Sequence, residues 1–209
     1  MKFLTDNAYH LFNELAANPF FANFTFVGGS AIGYYLQHRM SEDLDFFTWN
    51  ESLPTGTQTF IDSTAKTRNT VIANRTNSYL DLFIDDIKVT LFANDWDLLR
   101  IERDKVYKNI YIARLPLLCA MKINTLSLRA KYRDYYDLYV LNKEKYSIQD
   151  ILDFGLKYIP GMTIKIFGMQ LTYIEDIEDE TIDHLQPKYT VTLVDIKKHF
   201  EKEVEKLIQ

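Results

Sequence analysis

The sequence is organised around residues 26–47, Phe26-Val-Gly-Gly-Ser-Ala-Ile-Gly-Tyr-Tyr-Leu-Gln-His-Arg-Met-Ser-Glu-Asp-Leu-Asp-Phe-Phe47. The pattern predicts a short apolar strand, a glycine turn, a short amphipathic helix and a second strand. Because Gly28 and Gly29 have no Cβ atom, the backbone there can turn tightly and let a ligand approach closely. Ser30 follows at the predicted helix N-terminus, where unpaired N–H groups and the helix dipole favour an anion such as phosphate. The turn is therefore a candidate phosphate-binding site.

Two aspartates, Asp43 and Asp45, lie two residues apart in the second predicted strand. That spacing puts both carboxylates on one face of the strand. Two carboxylates held this close either raise each other's pKa or share a cation. Carboxylate oxygens suit Mg²⁺, which takes further ligands from substrate phosphates. Each motif alone is more often a plain turn or a strand edge, but the ordered pair is typical of nucleotidyl transfer.

Composition and charge limit the class of protein. The chain has 209 residues, of which 47% are hydrophobic and 25% charged, enough for a large domain with a helical extension. A net charge of −5 gives no general attraction to nucleic acid, although a local basic patch could bind RNA. The single cysteine, Cys119, excludes an internal disulfide framework, and no stretch approaches the roughly 18 apolar residues of a membrane span. We therefore expect a cytoplasmic protein without a membrane partner.

The rest of the pattern predicts an α+β fold in two parts. Strand-like runs and short helices fill residues 1–115, whereas the spacing is helical throughout residues 116–209. No Pro/Gly/Ser-rich linker separates these regions, so we expect them to pack together. Runs 78–84 and 87–93 are typical of a β-hairpin. If Ile84 pairs with Ile87, counting back places Asp81 opposite Thr90 on the same face.

These motifs resemble those of a known family. Gly28-Gly29-Ser30 followed by Arg39-x-Ser-Glu-Asp-Leu-Asp-Phe-Phe47 resembles the AbiEii/AbiGii-type toxins of the DNA polymerase β-like nucleotidyltransferase superfamily. A second signature, Lys122-x₁₀-Arg133-Asp134-x-x-Asp137, lies the expected distance downstream. The resemblance covers about residues 20–140. It implies a nucleotidyltransferase-fold mixed sheet with flanking helices, followed by a packed helical C-terminal region that completes the active site.

The resemblance also implies an activity. It implies a Mg²⁺-dependent enzyme that moves a nucleotide from an NTP to an acceptor, tRNA or another RNA, and that a cognate antitoxin restrains. The turn would bind the NTP phosphates, and Asp43 and Asp45 would hold the metal. Lys122 would also contact the phosphates, while Asp134 or Asp137 would orient the acceptor or act as base.

Some expectations stay open at this stage. Many relatives carry a third carboxylate where this chain has Thr90, and the hairpin register offers Asp81 as its substitute. Arg39 is predicted to help bind the substrate phosphates, with pairing to Glu42 or Asp43 as the alternative. His38 is expected to be a surface residue at a helix C-terminus, with a catalytic role as the alternative.

Two other classes of protein remain. The absent third carboxylate allows a catalytically silent nucleotidyltransferase-fold binding module. An Asp-x-Asp glycosyltransferase would use the same metal ligands, but it normally needs a longer nucleotide-binding region than the roughly forty residues that precede the motif here.

Overall fold

The computed structural model describes residues 3–177 and 181–207. The chain forms two compact units. Unit 1 comprises residues 1–35 and 40–114, and unit 2 comprises residues 36–39 and 115–209. These units differ from the predicted regions 1–115 and 116–209 chiefly in one short segment, because residues 36–39 group with the helical half of the chain.

Within the described residues, unit 1 is built on a seven-stranded mixed sheet. Its strands are β1 (Thr25–Val27), β2 (Leu44–Thr48), β3 (Thr70–Arg75), β4 (Tyr79–Ile84), β5 (Ile87–Ala93), β6 (Arg103–Tyr107) and β7 (Ile110–Ala113). Their order across the sheet is β3-β4-β5-β2-β1-β7-β6. β1 runs parallel to β7 and β2 parallel to β5, and the other pairs are antiparallel. This mixed sheet confirms the predicted α+β fold.

The helices of unit 1 are α1 (Asp6–Ala17), α2 (Gly28–Leu36), α3 (Thr57–Ala65) and α4 (Leu98–Ile101). Helix α1 ends at Ala17, because Pro19 opens a 3-10 helix and the Asn18 side chain accepts a hydrogen bond from the Phe20 N–H. The core of unit 1 is aromatic. Phe21 and Phe46 meet edge to face with ring centroids 4.7 Å apart, and Phe26 packs 5.2 Å from Phe46. Such pairs stabilise a core by more than the burial of their surface alone. The sheet that carries the candidate site therefore packs against a well-stabilised aromatic core.

Unit 2 is helical. Its helices are α5 (Leu115–Arg129), α6 (Tyr132–Glu144), α7 (Ile148–Tyr158), α8 (Ile164–Thr172) and α9 (Leu193–Glu205), with a 3-10 turn at Asp183–Leu185. Helix α9 begins with a capping box, in which the side chains of Thr192 and Asp195 each accept a hydrogen bond from the other's backbone N–H. Gly155 of α7 lies against Ile123 of α5, which lets these two helices approach closely. In the described part of the chain, no helix has both the length and the hydropathy needed to cross a bilayer.

Candidate functional site

The glycine turn and the carboxylate pair form one local structure. Gly28 follows β1 directly and has a φ of +76°, a conformation that residues with a Cβ seldom adopt. A Cβ on Gly28 would overlap the carboxylate oxygen Oδ2 of Asp45. The buried Ser30 hydroxyl donates a hydrogen bond to the backbone carbonyl of Asp43. The turn therefore fixes the backbone before β2 and leaves room for the Asp45 carboxylate.

The start of α2 is the part of the turn that suits an anion. Gly29 and Ser30 lie in its first turn, where backbone N–H groups have no partner within a helix. Because the Ser30 hydroxyl already donates to Asp43, its predicted role in binding phosphate would fall to the backbone of the turn. The positive end of the helix dipole adds to that preference.

Three strands bring the acidic residues into one row. The parallel register of β2 and β5 places Asp45 beside Thr90, and the antiparallel register of β5 and β4 places Thr90 beside Asp81. Ile84 pairs with Ile87, so the predicted hairpin register is confirmed. Neighbours across a sheet project on the same face. Asp45, Thr90 and Asp81 therefore form a polar row on one face of the sheet.

The Asp81 carboxylate is already surrounded by donors. The Thr90 and Tyr79 hydroxyls each donate to it at 2.9 Å, and the Lys88 ammonium lies 3.1 Å from Oδ2. Only 13% of the Asp81 side chain is exposed. A metal ion bound by Asp81 Oδ2 would lie next to the Lys88 ammonium, which would repel it. The role of Asp81 as a third metal ligand remains a prediction. The sequence pattern did not indicate Lys88 as its partner.

Asp43 and Asp45 are the residues whose carboxylates could hold Mg²⁺. Asp45 lies in β2 and occupies the space that a side chain on Gly28 would fill. Asp43 lies just before the first residue of β2, so the strand begins one residue later than predicted and carries only one of the two aspartates. Among the described residues, no group of three or more His, Cys, Asp or Glu side chains is placed to hold a metal ion. Two carboxylates nevertheless fit Mg²⁺, which usually keeps several waters and takes other ligands from phosphates.

The second signature forms a buried ion cluster in unit 2. The Lys122 ammonium lies 2.8 Å from Oδ1 of Asp134 and 2.9 Å from Oδ2 of Asp137. The Arg39 guanidinium donates two hydrogen bonds to the Asp137 carboxylate, from Nε at 2.8 Å and from Nη2 at 2.9 Å. All four side chains are buried. The predicted residues Lys122, Asp134, Asp137 and Arg39 are thus brought together, and Arg39 has a carboxylate partner that its sequence position did not suggest.

His38 completes this cluster, and the expectation of a surface histidine is wrong. Its Nε2 lies 2.7 Å from Asp137 Oδ1, and its ring stacks on Tyr136 with centroids 5.9 Å apart. The side chain is fully buried, and Nδ1 has no hydrogen-bond partner among the described residues. Position at the end of a helix predicted exposure, but the carboxylate and the Tyr136 ring make burial favourable.

The charges of the cluster stabilise one another. Burial alone would raise the pKa of Asp137, but Arg39, Lys122 and the His38 hydrogen bond hold that pKa well below its usual value. Burial likewise opposes the charged form of Lys122, yet the two carboxylates raise its pKa above the usual value. The cluster thus pairs two cations with two anions. Removing one partner from such a buried set leaves an uncompensated charge.

Comparison with known proteins supports a nucleotidyltransferase. The model of the family described as "Nucleotidyl transferase AbiEii toxin, Type IV TA system" matches residues 10–104. This match confirms the resemblance for that part of the chain and the predicted class of enzyme, an NTP-dependent nucleotidyltransferase. Protein aq_aa25 of Aquifex aeolicus, which is uncharacterized, is 24% identical over 192 residues, which are 90% of this chain and 89% of that protein.

Solved structures share the fold. JHP933 of Helicobacter pylori is 18% identical with a TM-score of 0.54, and the match covers 98% of this chain and 95% of that one. MenT4, described as a nucleotidyltransferase toxin of Mycobacterium tuberculosis H37Rv, is 13% identical with a TM-score of 0.51 and covers 98% and 86%. At these identities the likeness establishes the fold.

Proposed function

We propose that this chain, whose residues 10–104 match the AbiEii nucleotidyltransferase toxin family, transfers a nucleotide from an NTP to an RNA acceptor with the help of Mg²⁺. One observation carries the proposal. The Asp45 carboxylate lies in the space left by Gly28, which supports a site where the turn would bind phosphate next to a carboxylate that would bind the metal. A plain turn beside an unrelated strand edge would not require this arrangement.

The chain contributes placement and electrostatics. Asp43 and Asp45 would hold Mg²⁺, which when bound neutralises charge at the α-phosphorus and stabilises the leaving pyrophosphate. The backbone N–H groups of the first turn of α2 would bind phosphate oxygens. Holding the reacting groups in one geometry, with donors aimed at the developing charge, supplies most of the acceleration in reactions of this kind.

The roles proposed for the second signature rest on the family resemblance. We propose that Lys122 binds a phosphate oxygen of the NTP, and that Asp134 or Asp137 acts on the acceptor. Asp137 also holds Arg39 and His38, whereas Asp134 has Lys122 and the Lys131 N–H as partners. Asp134 therefore has fewer partners to lose, which favours it for a role that changes its contacts during the reaction.

The proposed partners follow from the family. Its description names a toxin of a type IV toxin–antitoxin system, so we propose that a cognate antitoxin restrains this chain in the cell. We propose tRNA as the first acceptor to test. Because the net charge is −5, RNA would be bound through local contacts and not through a general positive field.

Labelled nucleotide incorporation tests the proposal. The purified chain is incubated with Mg²⁺, total RNA and each α-labelled NTP in turn, and the RNA is separated by size. We expect label in one RNA class, and none with the Asp43→Asn/Asp45→Asn variant, whose folding is checked by circular dichroism. NTP binding without transfer to any RNA would favour the silent binding module. Equal incorporation by the double variant would remove the metal assignment.

A further inference from the structure

We infer that two copies of this chain associate through the outward side of helix α8, with the two α8 helices packed antiparallel to each other. This surface consists of Ile166, Met169 and the C-cap residue Tyr173, and we call these three residues the α8 face. The inference goes beyond the proposed function, because no residue of the α8 face has a role in nucleotide transfer.

The inward side of α8 is already covered by its own unit. Phe167, Gly168 and Leu171 are buried. A Cβ on Gly168 would come within 3.1 Å of Val204 on α9, so these two helices are in close contact. The core of unit 2 therefore uses the inward side of α8 and leaves the opposite side for other contacts.

The outward side of α8 is apolar and exposed. Ile166, Met169 and Tyr173 follow one another at spacings of three and four residues, which places them in one stripe along the helix. Their exposed fractions are 41%, 61% and 50%. A helix at the surface of a globular protein normally has polar residues facing water, and a helix that is apolar all round is normally buried. A contiguous exposed apolar stripe therefore indicates an interaction surface.

The charges at the two ends of the α8 face are opposite. Lys165 is exposed at the N-terminal end, next to Ile166. At the C-terminal end, the Asp176 carboxylate accepts a hydrogen bond from the Tyr173 hydroxyl at 2.7 Å. This hydrogen bond and the negative charges of Asp176 and Glu175 raise the pKa of Tyr173 above its usual value. The α8 face is thus positive at one end and negative at the other.

This order of charges favours a second copy of the same chain. Met169 lies midway between Lys165 and Tyr173 along the sequence. A two-fold axis beside Met169 therefore brings Lys165 of each copy next to Tyr173 and Asp176 of the other. Opposite charges meet at both ends of such a contact, the ammonium can lie over the aromatic ring, and the two Met169 side chains pack together in the middle. One self-complementary surface then serves both copies.

The contact is small, so the dimer should be weak. Complexes that bury less than about 1,200 Å² in total are mostly weak and reversible, and three apolar side chains from each copy fall within that range. We therefore expect monomers and dimers to exchange, with a dissociation constant of about 10–100 μM.

Sedimentation equilibrium of the full chain tests the inference, at concentrations from about tenfold below to about tenfold above that constant. We expect a reversible dimer for the unchanged chain and for Met169→Leu. Met169→Glu would bring two carboxylates together at the axis and should weaken the dimer at least about tenfold. The matched control is Ile101→Glu in α4, because Ile101 is 59% exposed, and it should dimerise like the unchanged chain. Thermal unfolding of each variant checks that it is folded.

Charge reversal tests the antiparallel orientation. Lys165→Glu places two acidic contacts in the dimer, and Asp176→Lys places two basic ones, so each variant alone should dimerise at least about fivefold more weakly at low salt. In an equimolar mixture of the two variants, a mixed dimer again has opposite charges at both ends. The mixture should therefore associate about as strongly as the unchanged chain, a result that effects within one chain would not produce.

The contradicting outcomes are distinct. A monomer at every concentration would overturn the inference and leave the α8 face to a chain of different sequence. A dimer that Met169→Glu does not weaken would place the contact elsewhere, which also overturns it. A dimer that Met169→Glu weakens, but whose charge-reversed variants do not associate when mixed, would refute the antiparallel arrangement. Nucleotide incorporation is measured separately, so each of these results leaves the proposed function intact.

Discussion

Replacing Gly28 with alanine tests whether the turn and the Asp45 carboxylate are one structure. The substitution has two separate costs. At φ +76° a residue with a Cβ is disfavoured by about 1–2 kcal/mol. The new methyl group would also overlap Asp45 Oδ2, and turning that carboxylate away from its preferred rotamer costs about 0.5–1.5 kcal/mol. We therefore expect the free energy of unfolding to fall by roughly 1.5–3.5 kcal/mol.

A second glycine provides the control. Gly161 has a φ of +77°, but a Cβ there would meet nothing within 4 Å. Gly161→Ala should therefore show the backbone cost alone, about 1–2 kcal/mol. Both variants are unfolded with urea at neutral pH without metal. If more than one unfolding transition is seen, the stability of each variant is taken from the transition that its substitution changes. The difference between them, roughly 1 kcal/mol, measures the contact with Asp45.

Metal binding gives an independent measurement of the same contact. Because the carboxylate must move to admit the methyl group, nucleotide-dependent Mn²⁺ affinity should fall at least about tenfold in Gly28→Ala, or about 1.4 kcal/mol, and should not change in Gly161→Ala. Adding Asp45→Ala to Gly28→Ala should remove the extra loss of stability. Equal stability of the two glycine variants together with unchanged Mn²⁺ affinity would refute the placement of Asp45 against the turn.

Three further predictions concern buried groups of unit 2. Lys122→Met leaves two buried carboxylates short of a cation and should lower the free energy of unfolding by about 3–5 kcal/mol, whereas Lys145→Met, on the surface, should change it little. Because the pKa of Asp137 is lowered on folding, its stabilising contribution is present above the unfolded pKa of about 3.9 and is lost as the pH falls through the folded pKa. Asp137→Asn should therefore flatten the fall in stability below about pH 4 in urea titrations, and an unchanged slope would count against the cluster. Burial raises the pKa of the Cys119 thiol, so a thiol reagent should label it only as fast as the protein opens, and rapid native labelling would contradict its burial.

Features set by local spacing could be predicted from the sequence. The glycine turn and the hairpin register both depend on residues that are close along the chain, where counting positions shows which face of a strand a side chain is on. The same count could have identified Lys88. With Ile84 opposite Ile87, Lys88 lies opposite Phe83 and diagonal to Asp81, a separation that a long side chain can span. The position of Thr90 beside Asp45 could not be predicted, because it depends on the parallel pairing of β2 with β5.

The ion cluster of unit 2 shows the limit of spacing arguments. His38 and Arg39 are 99 and 98 residues from Asp137 along the chain, so no periodicity links them. Charged side chains are rarely buried unless they are paired, and the sequence contained no sign of the pairing. Position at the end of a helix therefore favoured a surface for His38, and only the tertiary fold shows the carboxylate that makes its burial favourable.

The cluster also changes what a loss of activity at Lys122 would mean. Removing its ammonium destabilises unit 2 through the unpaired carboxylates, so an inactive Lys122→Met protein could be unfolded and would say nothing about phosphate. The variant Lys122→Met/Asp134→Asn removes one positive and one negative charge and keeps the cluster neutral, so it should regain most of the lost stability. If Lys122 binds the NTP, this stable variant still incorporates no nucleotide and binds NTP more weakly. If the Lys122→Met/Asp134→Asn variant regains both stability and nucleotide incorporation, the cluster is structural and the reaction depends on unit 1.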